Sequence, residues 1–149
     1  MRKVFAIICL LYSLTFMACQ NKTIYHSYQP INPIGWERID TLFYTFNTTS
    51  KQNTLLKSSI GIRHEDSYPY RDIWIIANQD TFHLYLADST GKWKGKGLGN
   101  LRQIVFPVNL NLQEQDSTIK IKINHIMQEN PLPGIHDIGM HIEKIQTNE

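Results

Sequence analysis

Apolar and polar residues alternate one by one along several segments of the chain. In segment 119–124 the apolar positions are all isoleucine and the intervening positions are all polar. Segments 41–46 and 138–143 have a similar period of two. Because successive side chains of a strand point to opposite faces, this pattern predicts strands with one buried and one solvated face.

Segment 73–86 predicts the clearest hairpin. Two runs of strand-forming residues, 73–77 and 81–86, flank the polar turn Asn78-Gln79-Asp80. Since Trp74 lies within the apolar first run, we expect it in the core.

The remaining segments predict further strands and no long helix. Residues 56–64 form one strand, and residues 103–112 are extended, with Pro107 at an edge or bulge because proline has no N–H to donate. About seven short strands predict an all-β fold, an antiparallel β-sandwich of jelly-roll type. A parallel α/β fold would need crossover helices that the pattern lacks.

The start of the chain has the pattern of a bacterial lipoprotein signal peptide. Arg2 and Lys3 precede an apolar segment at 4–14, which is shorter than the roughly 20 residues that cross a bilayer. Ala18 and Cys19 then match the end of such a signal. We therefore expect residues 1–18 to be removed and Cys19 to carry the lipid.

Removal of the signal peptide changes the charge of the protein. The whole chain has 15 Lys and Arg residues and 13 Asp and Glu residues. The signal peptide contains two of the basic residues and no acidic one, so 13 of each remain. A neutral body argues against nucleic acid as a partner, since its binders carry clustered basic surfaces. Membrane attachment then depends on the covalent lipid.

The mature chain divides into two parts. Residues 19–35 are polar, contain Pro30 and Pro33, and have no clean period, so we interpret them as the lipidated N-terminus and a tether. Residues 36–149 form a single β-sandwich domain.

Motifs for catalysis and cofactor binding are missing from the sequence. The glycines of 90–99 complete neither a Walker loop nor a dinucleotide fingerprint, and they predict a loop with positive φ angles. None of the six histidines has a recognised metal-ligand spacing. There is no Gly-x-Ser-x-Gly elbow and no cysteine nucleophile. We expect no enzymatic activity, no cofactor and no metal.

Two loops, 68–72 and 88–99, are the predicted contact surface, because binding residues concentrate on loops that a rigid scaffold holds. The candidate contact residues are Tyr70, Arg71, Asp88, Trp93 and Lys94. Arg and Trp are enriched among binding hot spots. The sequence leaves open whether Trp93 instead folds back over the end of the sandwich, and whether Arg71 pairs with Asp72 or Asp88.

Four long segments resemble the GldH gliding-motility lipoproteins. They are 59–64 (Ser-Ile-Gly-Ile-Arg-His), 68–74 (Tyr-Pro-Tyr-Arg-Asp-Ile-Trp), 85–97 (Tyr-Leu-Ala-Asp-Ser-Thr-Gly-Lys-Trp-Lys-Gly-Lys-Gly) and 130–139 (Asn-Pro-Leu-Pro-Gly-Ile-His-Asp-Ile-Gly). Together with Cys19 they cover most of the mature chain in the expected order.

The resemblance implies an envelope lipoprotein of Bacteroidota-type bacteria that works with other proteins in gliding and its linked secretion. It implies lipid anchoring, most simply in the outer membrane facing the periplasm, and no reaction. Our leading hypothesis is therefore a non-enzymatic β-sandwich whose loops bind an envelope protein. The alternative is a glycan-binding module in which Trp93 and Tyr70 form the stacking surface.

We predict that Cys19→Ser prevents lipid attachment and releases the protein from the membrane, because the thiol is the acceptor of the lipid. Membrane fractionation and intact mass of both forms test this. A wild-type protein without acyl mass, with both forms equally membrane-bound, would show that the attachment has another origin.

Overall fold

The protein is built entirely of strands and connecting loops within the part that can be described. The computed structural model describes residues 23–48, 56–110, 112 and 118–145. Its nine strands are β1 (Thr23–Pro30), β2 (Leu42–Asn47), β3 (Leu56–Glu65), β4 (Asp72–Ala77), β5 (Asp80–Tyr85), β6 (Lys96–Leu98), β7 (Leu101–Val108), β8 (Thr118–His125) and β9 (Ile135–Lys144). Among these residues no helix is long and apolar enough to cross a membrane. The signal peptide and Cys19 lie outside the described residues.

The strands form two antiparallel sheets. One sheet has the order β1-β9-β3-β7-β6 and the other the order β2-β8-β4-β5. Without the short edge strand β6, this is the strand order of a jelly roll, in which two four-stranded sheets pack face to face. The predicted all-β antiparallel sandwich is confirmed.

The core lies between the two sheets and is built by the alternation seen in the sequence. Ile119, Ile121 and Ile123 of β8 are buried, whereas Lys120 and Lys122 are exposed. The other strands contribute their inward positions in the same way. The largest fully buried side chains are Trp36, Tyr44, Ile60, Ile62, Ile73, Ile75, Leu86, Ile121, Ile123, Leu132, Ile138 and Met140.

The tether prediction was wrong for residues 23–30. These residues form β1, which pairs with β9 from Thr23↔Glu143 to Pro30↔Asp137. The alternation was hard to detect because β1 is an edge strand whose inward positions, such as Ser27 and Gln29, are polar and half-buried. Among the described residues, strand pairing therefore starts at Thr23, ahead of Trp36, where we expected the domain to begin.

The glycine-rich segment contains a strand where we had predicted only a loop. Lys96–Leu98 forms β6, which pairs with Leu101–Gln103 of β7. The remainder of β7, including Pro107, pairs only with β3 among the described strands, so the prediction that Pro107 lies at an edge is confirmed.

The register gives the sandwich two different ends. At one end, which we call the base, Thr23 at the start of β1 and Lys57 near the start of β3 both pair with Glu143 near the end of β9. The opposite end, which we call the loop end, consists of the segments 31–41, 65–71, 86–95 and 126–134.

Backbone hydrogen bonds join the loops of the loop end to one another. Trp36 and Leu132 exchange two of them at 2.8 Å, and the Glu65 N–H donates to the Gly134 carbonyl at 2.8 Å. These bonds hold the loops as a connected surface.

We predict that Ile121→Asp unfolds the protein or costs at least about 3 kcal/mol of stability, because it leaves a carboxylate unpaired in the core. The matched control Lys122→Asp lies on the outer face and should stay within about 0.5 kcal/mol of wild type. Denaturant unfolding measures both. Equal losses would mean that the assigned register of β8 is incorrect.

Candidate functional site

The two predicted contact loops lie side by side at the loop end. The N–H groups of Leu86 and Ala87 both donate to the Arg71 carbonyl, at 2.8 and 2.9 Å. The Lys94 N–H donates to the Leu86 carbonyl at 2.8 Å. The structure therefore brings Arg71 and Lys94 into one surface, on either side of the end of β5.

Arg71 is exposed and does not form the internal ion pairs considered as alternatives. Its Nη1 donates to the Ser89 carbonyl at 3.2 Å. Asp72 is hydrogen-bonded to His83 Nε2 instead. The guanidinium therefore bridges the two loops and retains further donors for a partner, because it carries five N–H groups.

Asp88 organises the turn of its own loop. Its Oδ1 accepts hydrogen bonds from the Thr90 hydroxyl at 2.6 Å, the Thr90 N–H at 2.8 Å and the Lys92 N–H at 3.0 Å. The hydrogen bond from the Thr90 hydroxyl, followed by that from Lys92, lowers the pKa of the Asp88 carboxyl. Asp88 thus fixes the backbone that presents Lys92 and Lys94.

Trp93 is half-buried and points towards the core. Its ring lies 4.6 Å from the ring of His64 and 6.5 Å from that of Tyr68, centroid to centroid. Its backbone forms an isolated bridge with Ala87. Of the two arrangements that the sequence left open, the ring adopts the one that covers the end of the sandwich, with part of its surface still accessible.

His64 is the buried residue beneath this aromatic cover. Its side chain is fully buried, and its Nδ1 lies 3.0 Å from the Glu65 carbonyl, so Nδ1 carries the proton. Its Nε2 has no hydrogen-bond partner among the described residues. Burial lowers the pKa of His64. Sequence reasoning had not singled it out, although it continues the inward alternation of Ile60 and Ile62.

Tyr70 joins the contact loops to a third loop. Its hydroxyl donates to Glu129 Oε2 at 2.6 Å, and this hydrogen bond raises the pKa of Tyr70. Its ring meets that of Tyr68 edge-on at 5.8 Å. Tyr70 is therefore partly engaged within the protein.

The expectation that Trp74 lies in the core was wrong. Trp74 points outward from β4 and is 40% exposed. Its ring stacks on His83 at 3.9 Å with an interplanar angle of 13°, and His83 lies 4.3 Å from Tyr85. We call these three residues the aromatic row. Because residues 73–77 are apolar on both faces, periodicity gave no signal for which face is buried.

The aromatic row continues into the contact loops. Tyr85 is 52% exposed, and the ammonium group of Lys94 lies 5.8 Å from its ring centroid, within the range of a cation–π contact. The aromatic row and the cations Arg71 and Lys94 therefore form one continuous surface, which is the candidate functional site.

A second cluster lies on the outer face of the five-stranded sheet. Tyr28 of β1 covers the directly paired glycines Gly61 and Gly139. A Cβ atom would approach the Tyr28 side chain to 2.1 Å at Gly61 and to 2.5 Å at Gly139. These two positions therefore accommodate only glycine while Tyr28 keeps its place.

Charged groups hold Tyr28 from above. The Arg63 guanidinium lies 4.6 Å from the Tyr28 ring centroid, and Arg63 Nε donates to Asp137 Oδ1 at 2.6 Å. Asp137 is 3% exposed and also bonds to His136 Nδ1 at 2.8 Å. The polar groups of this cluster are mutually satisfied, so we assign it to holding β1 on the sheet.

One comparison with known proteins identifies the family of the chain. The sequence model of the family described as GldH lipoprotein matches residues 23–142. The chain belongs to the GldH lipoprotein family. No curated protein and no solved structure matches it.

Membership in this family makes the chain a lipoprotein of gliding-motility type, and the family is not a known enzyme family. The match begins at the first residue of β1 and ends within β9, so all of the described strands contribute to it. It also contains the four segments on which the resemblance rested. The family thus supports a lipid-anchored protein of the cell envelope.

We predict that stability falls between about pH 7 and pH 5, and that His64→Gln reduces the fall. Burial lowers the pKa of His64, so below its ordinary value near 6.5 the unfolded chain binds a proton that the folded chain resists. Melting temperatures across this range measure the effect. Burial also lowers the pKa of His125, so we expect His125 to account for the part of the fall that remains. If the fall in stability is unchanged in His64→Gln, another group causes it.

Proposed function

We propose that this protein is a non-enzymatic component of the gliding-motility and associated secretion machinery that acts through protein–protein contacts at its loop end. The lipid on Cys19 attaches it to the outer membrane, facing the periplasm. Arg71, Lys94 and the aromatic row form the contact surface, with Asp88, Trp93 and Tyr70 holding its loops.

The position of the contact surface relative to the N-terminus carries this proposal. Cys19 precedes Thr23 by four residues, which reach at most about 14 Å. The base, where β1 begins, therefore lies close to the bilayer. A strand of ten residues such as β9 is about 30 Å long, so the loop end stands away from the membrane, where another protein can reach it.

The chemistry of the surface also favours a protein partner. Arg71 and Lys94 are exposed, and neither takes part in an ion pair within the described part of the chain. They flank exposed aromatic side chains, and aromatic residues with Arg are the groups enriched in protein interfaces. The loops that carry them are tied together by backbone hydrogen bonds, which lowers the entropy lost on binding.

A glycan is the second candidate, and the aromatic row is the observation that favours it. Sugars stack on open aromatic faces, as on exposed tryptophan or tyrosine. However, Trp74 and His83 stack on each other, so each covers one face of its neighbour. Lys94 lies over the Tyr85 ring. These contacts reduce the open ring area, and we therefore favour the protein.

We predict that Arg71→Ala and Lys94→Ala reduce in-cell crosslinking to an envelope protein at least tenfold, with melting temperatures within a few degrees of wild type. Both side chains are exposed and Arg71 makes a single exposed hydrogen bond to Ser89, so their loss should cost little stability. Lys57→Ala at the base is the matched control and should crosslink normally. Normal crosslinking in both loop variants, or loss of binding to purified peptidoglycan instead, would contradict the protein hypothesis.

We predict that Trp93→Ala lowers the stability of the protein, unlike Arg71→Ala and Lys94→Ala. Because its ring packs against His64, we expect a loss of about 2 kcal/mol in stability. Urea unfolding measures the loss, and an unchanged midpoint would show that Trp93 does not stabilise the loop end.

A further inference from the structure

The free edge of β5 exposes backbone groups that pair with nothing else in the described structure. The Leu86 N–H donates to the Arg71 carbonyl. This bond shows which residue pairs of β4 and β5 are hydrogen-bonded to each other. In an antiparallel ladder the residues that bond to the neighbouring strand alternate. Thr81, His83 and Tyr85 therefore direct their N–H and C=O groups away from β4.

β5 is the last strand of its sheet among the described strands, and apart from the charged Asp80 at its start it lacks the usual protections of an edge. It is six residues long, contains neither proline nor lysine, and pairs with β4 without a bulge. Edge strands with these properties are templates for pairing with another chain.

The other edges of the sandwich are protected within the described residues. β1 has an irregular register between Thr23 and Tyr25 and ends at Pro30. The Phe43 carbonyl of β2 accepts a hydrogen bond from the Gln29 side chain. β6 has only three residues, and the uncovered part of β7 contains Pro107. The contrast identifies β5 as the edge left open for a partner.

We propose that β5 receives an extended segment of an envelope protein, which adds to the four-stranded sheet as a fifth strand. This inference rests on the proposed function and specifies how the partner binds. The N–H and C=O groups of Thr81, His83 and Tyr85 supply the main-chain hydrogen bonds, as in other cases of strand addition. Side chains on one face of the segment pack against His83 and Tyr85 across the new pair of strands.

The charges at the end of β5 define the chemistry of the segment. Arg71 and Lys94 flank this end and are exposed without ion-pair partners in the described structure. The nearby carboxylates are already engaged, Asp72 with His83 and Asp88 with its own loop. The segment therefore combines apolar or aromatic residues at alternate positions with an acidic residue near Arg71 and Lys94.

A second copy of this chain does not fit the edge. Two β5 strands related by a closed twofold axis run antiparallel, which points the two bases in opposite directions. Two copies attached to one membrane through Cys19 have their bases on the same side, because only three residues lie between Cys19 and β1. The occupant is thus a segment of another protein.

The test uses the full-length lipidated protein in its host, with photoreactive p-benzoylphenylalanine in place of Tyr85. Thr81→Pro removes one outward N–H group without touching a bond to β4, and Thr81→Val keeps that N–H as the matched control. We expect crosslinking to a single segment of one envelope protein. It should fall at least tenfold in Thr81→Pro and persist in Thr81→Val.

If Thr81→Pro does not fold, hydrogen exchange of backbone amides provides a second test of strand addition. In the crosslinked complex of the protein that carries the photoreactive residue at position 85, without a change at Thr81, the amides of Thr81 and His83 should exchange at least tenfold more slowly than in the same protein before crosslinking. Unchanged exchange would overturn strand addition, as would crosslinking to a second copy.

The experiment separates strand addition at β5 from the more general proposal that a protein binds the loop end. Crosslinking that persists in a folded Thr81→Pro variant overturns pairing at the edge but leaves a protein partner at the loop end. Crosslinking from a photoreactive residue at Arg71 but not at Tyr85 would likewise overturn pairing at the edge and leave a protein partner at the loop end. Absence of crosslinking from both positions overturns both proposals.

Discussion

The pairing of β1 with β9 fixes where the chain enters the sandwich, and under the proposed lipid attachment at Cys19 it sets how the sandwich is held relative to the membrane. β1 begins four residues after Cys19, so the end of the sheet where it starts becomes the base. This pairing is reinforced on the outer face, where Tyr28 occupies the space above Gly61 and Gly139. Were β1 a loose tether, as its composition suggested, the sandwich would have no fixed orientation and the loop end no defined distance from the lipid.

The strands and the loop end are stabilised by different interactions. The strands that connect them are held by a core of alternating apolar side chains, whereas the loop end depends on specific hydrogen bonds and aromatic contacts. Asp88 shapes one loop, Arg71 joins it to the next, and Trp93 closes the core above His64. A rigid scaffold can therefore carry exposed cations and aromatic rings in fixed positions, as recognition surfaces require.

The sequence pattern predicted the strands that have one buried and one solvated face. It did not orient strands whose two faces carry similar residues. β8 was evident because isoleucine alternates with polar residues. β1 has polar residues on both faces, and Trp74 lies in a run that is apolar on both faces, so periodicity could not orient either. The five candidate contact residues lie on the two loops that turn composition predicted. Their partners, Ser89, Glu129 and His64, come from long-range pairing that a local pattern does not contain.

In the proposed arrangement, the loop end of the lipid-anchored protein points away from the bilayer. Energy transfer to acceptor-labelled lipids tests it most directly, with a single donor dye attached either at Lys57 in the base or at Lys92 in the loop end of the lipidated protein in vesicles. We expect efficient transfer from position 57 and much weaker transfer from position 92, since about 30 Å separates the two ends. Equal transfer from the two positions, or stronger transfer from position 92, would contradict it.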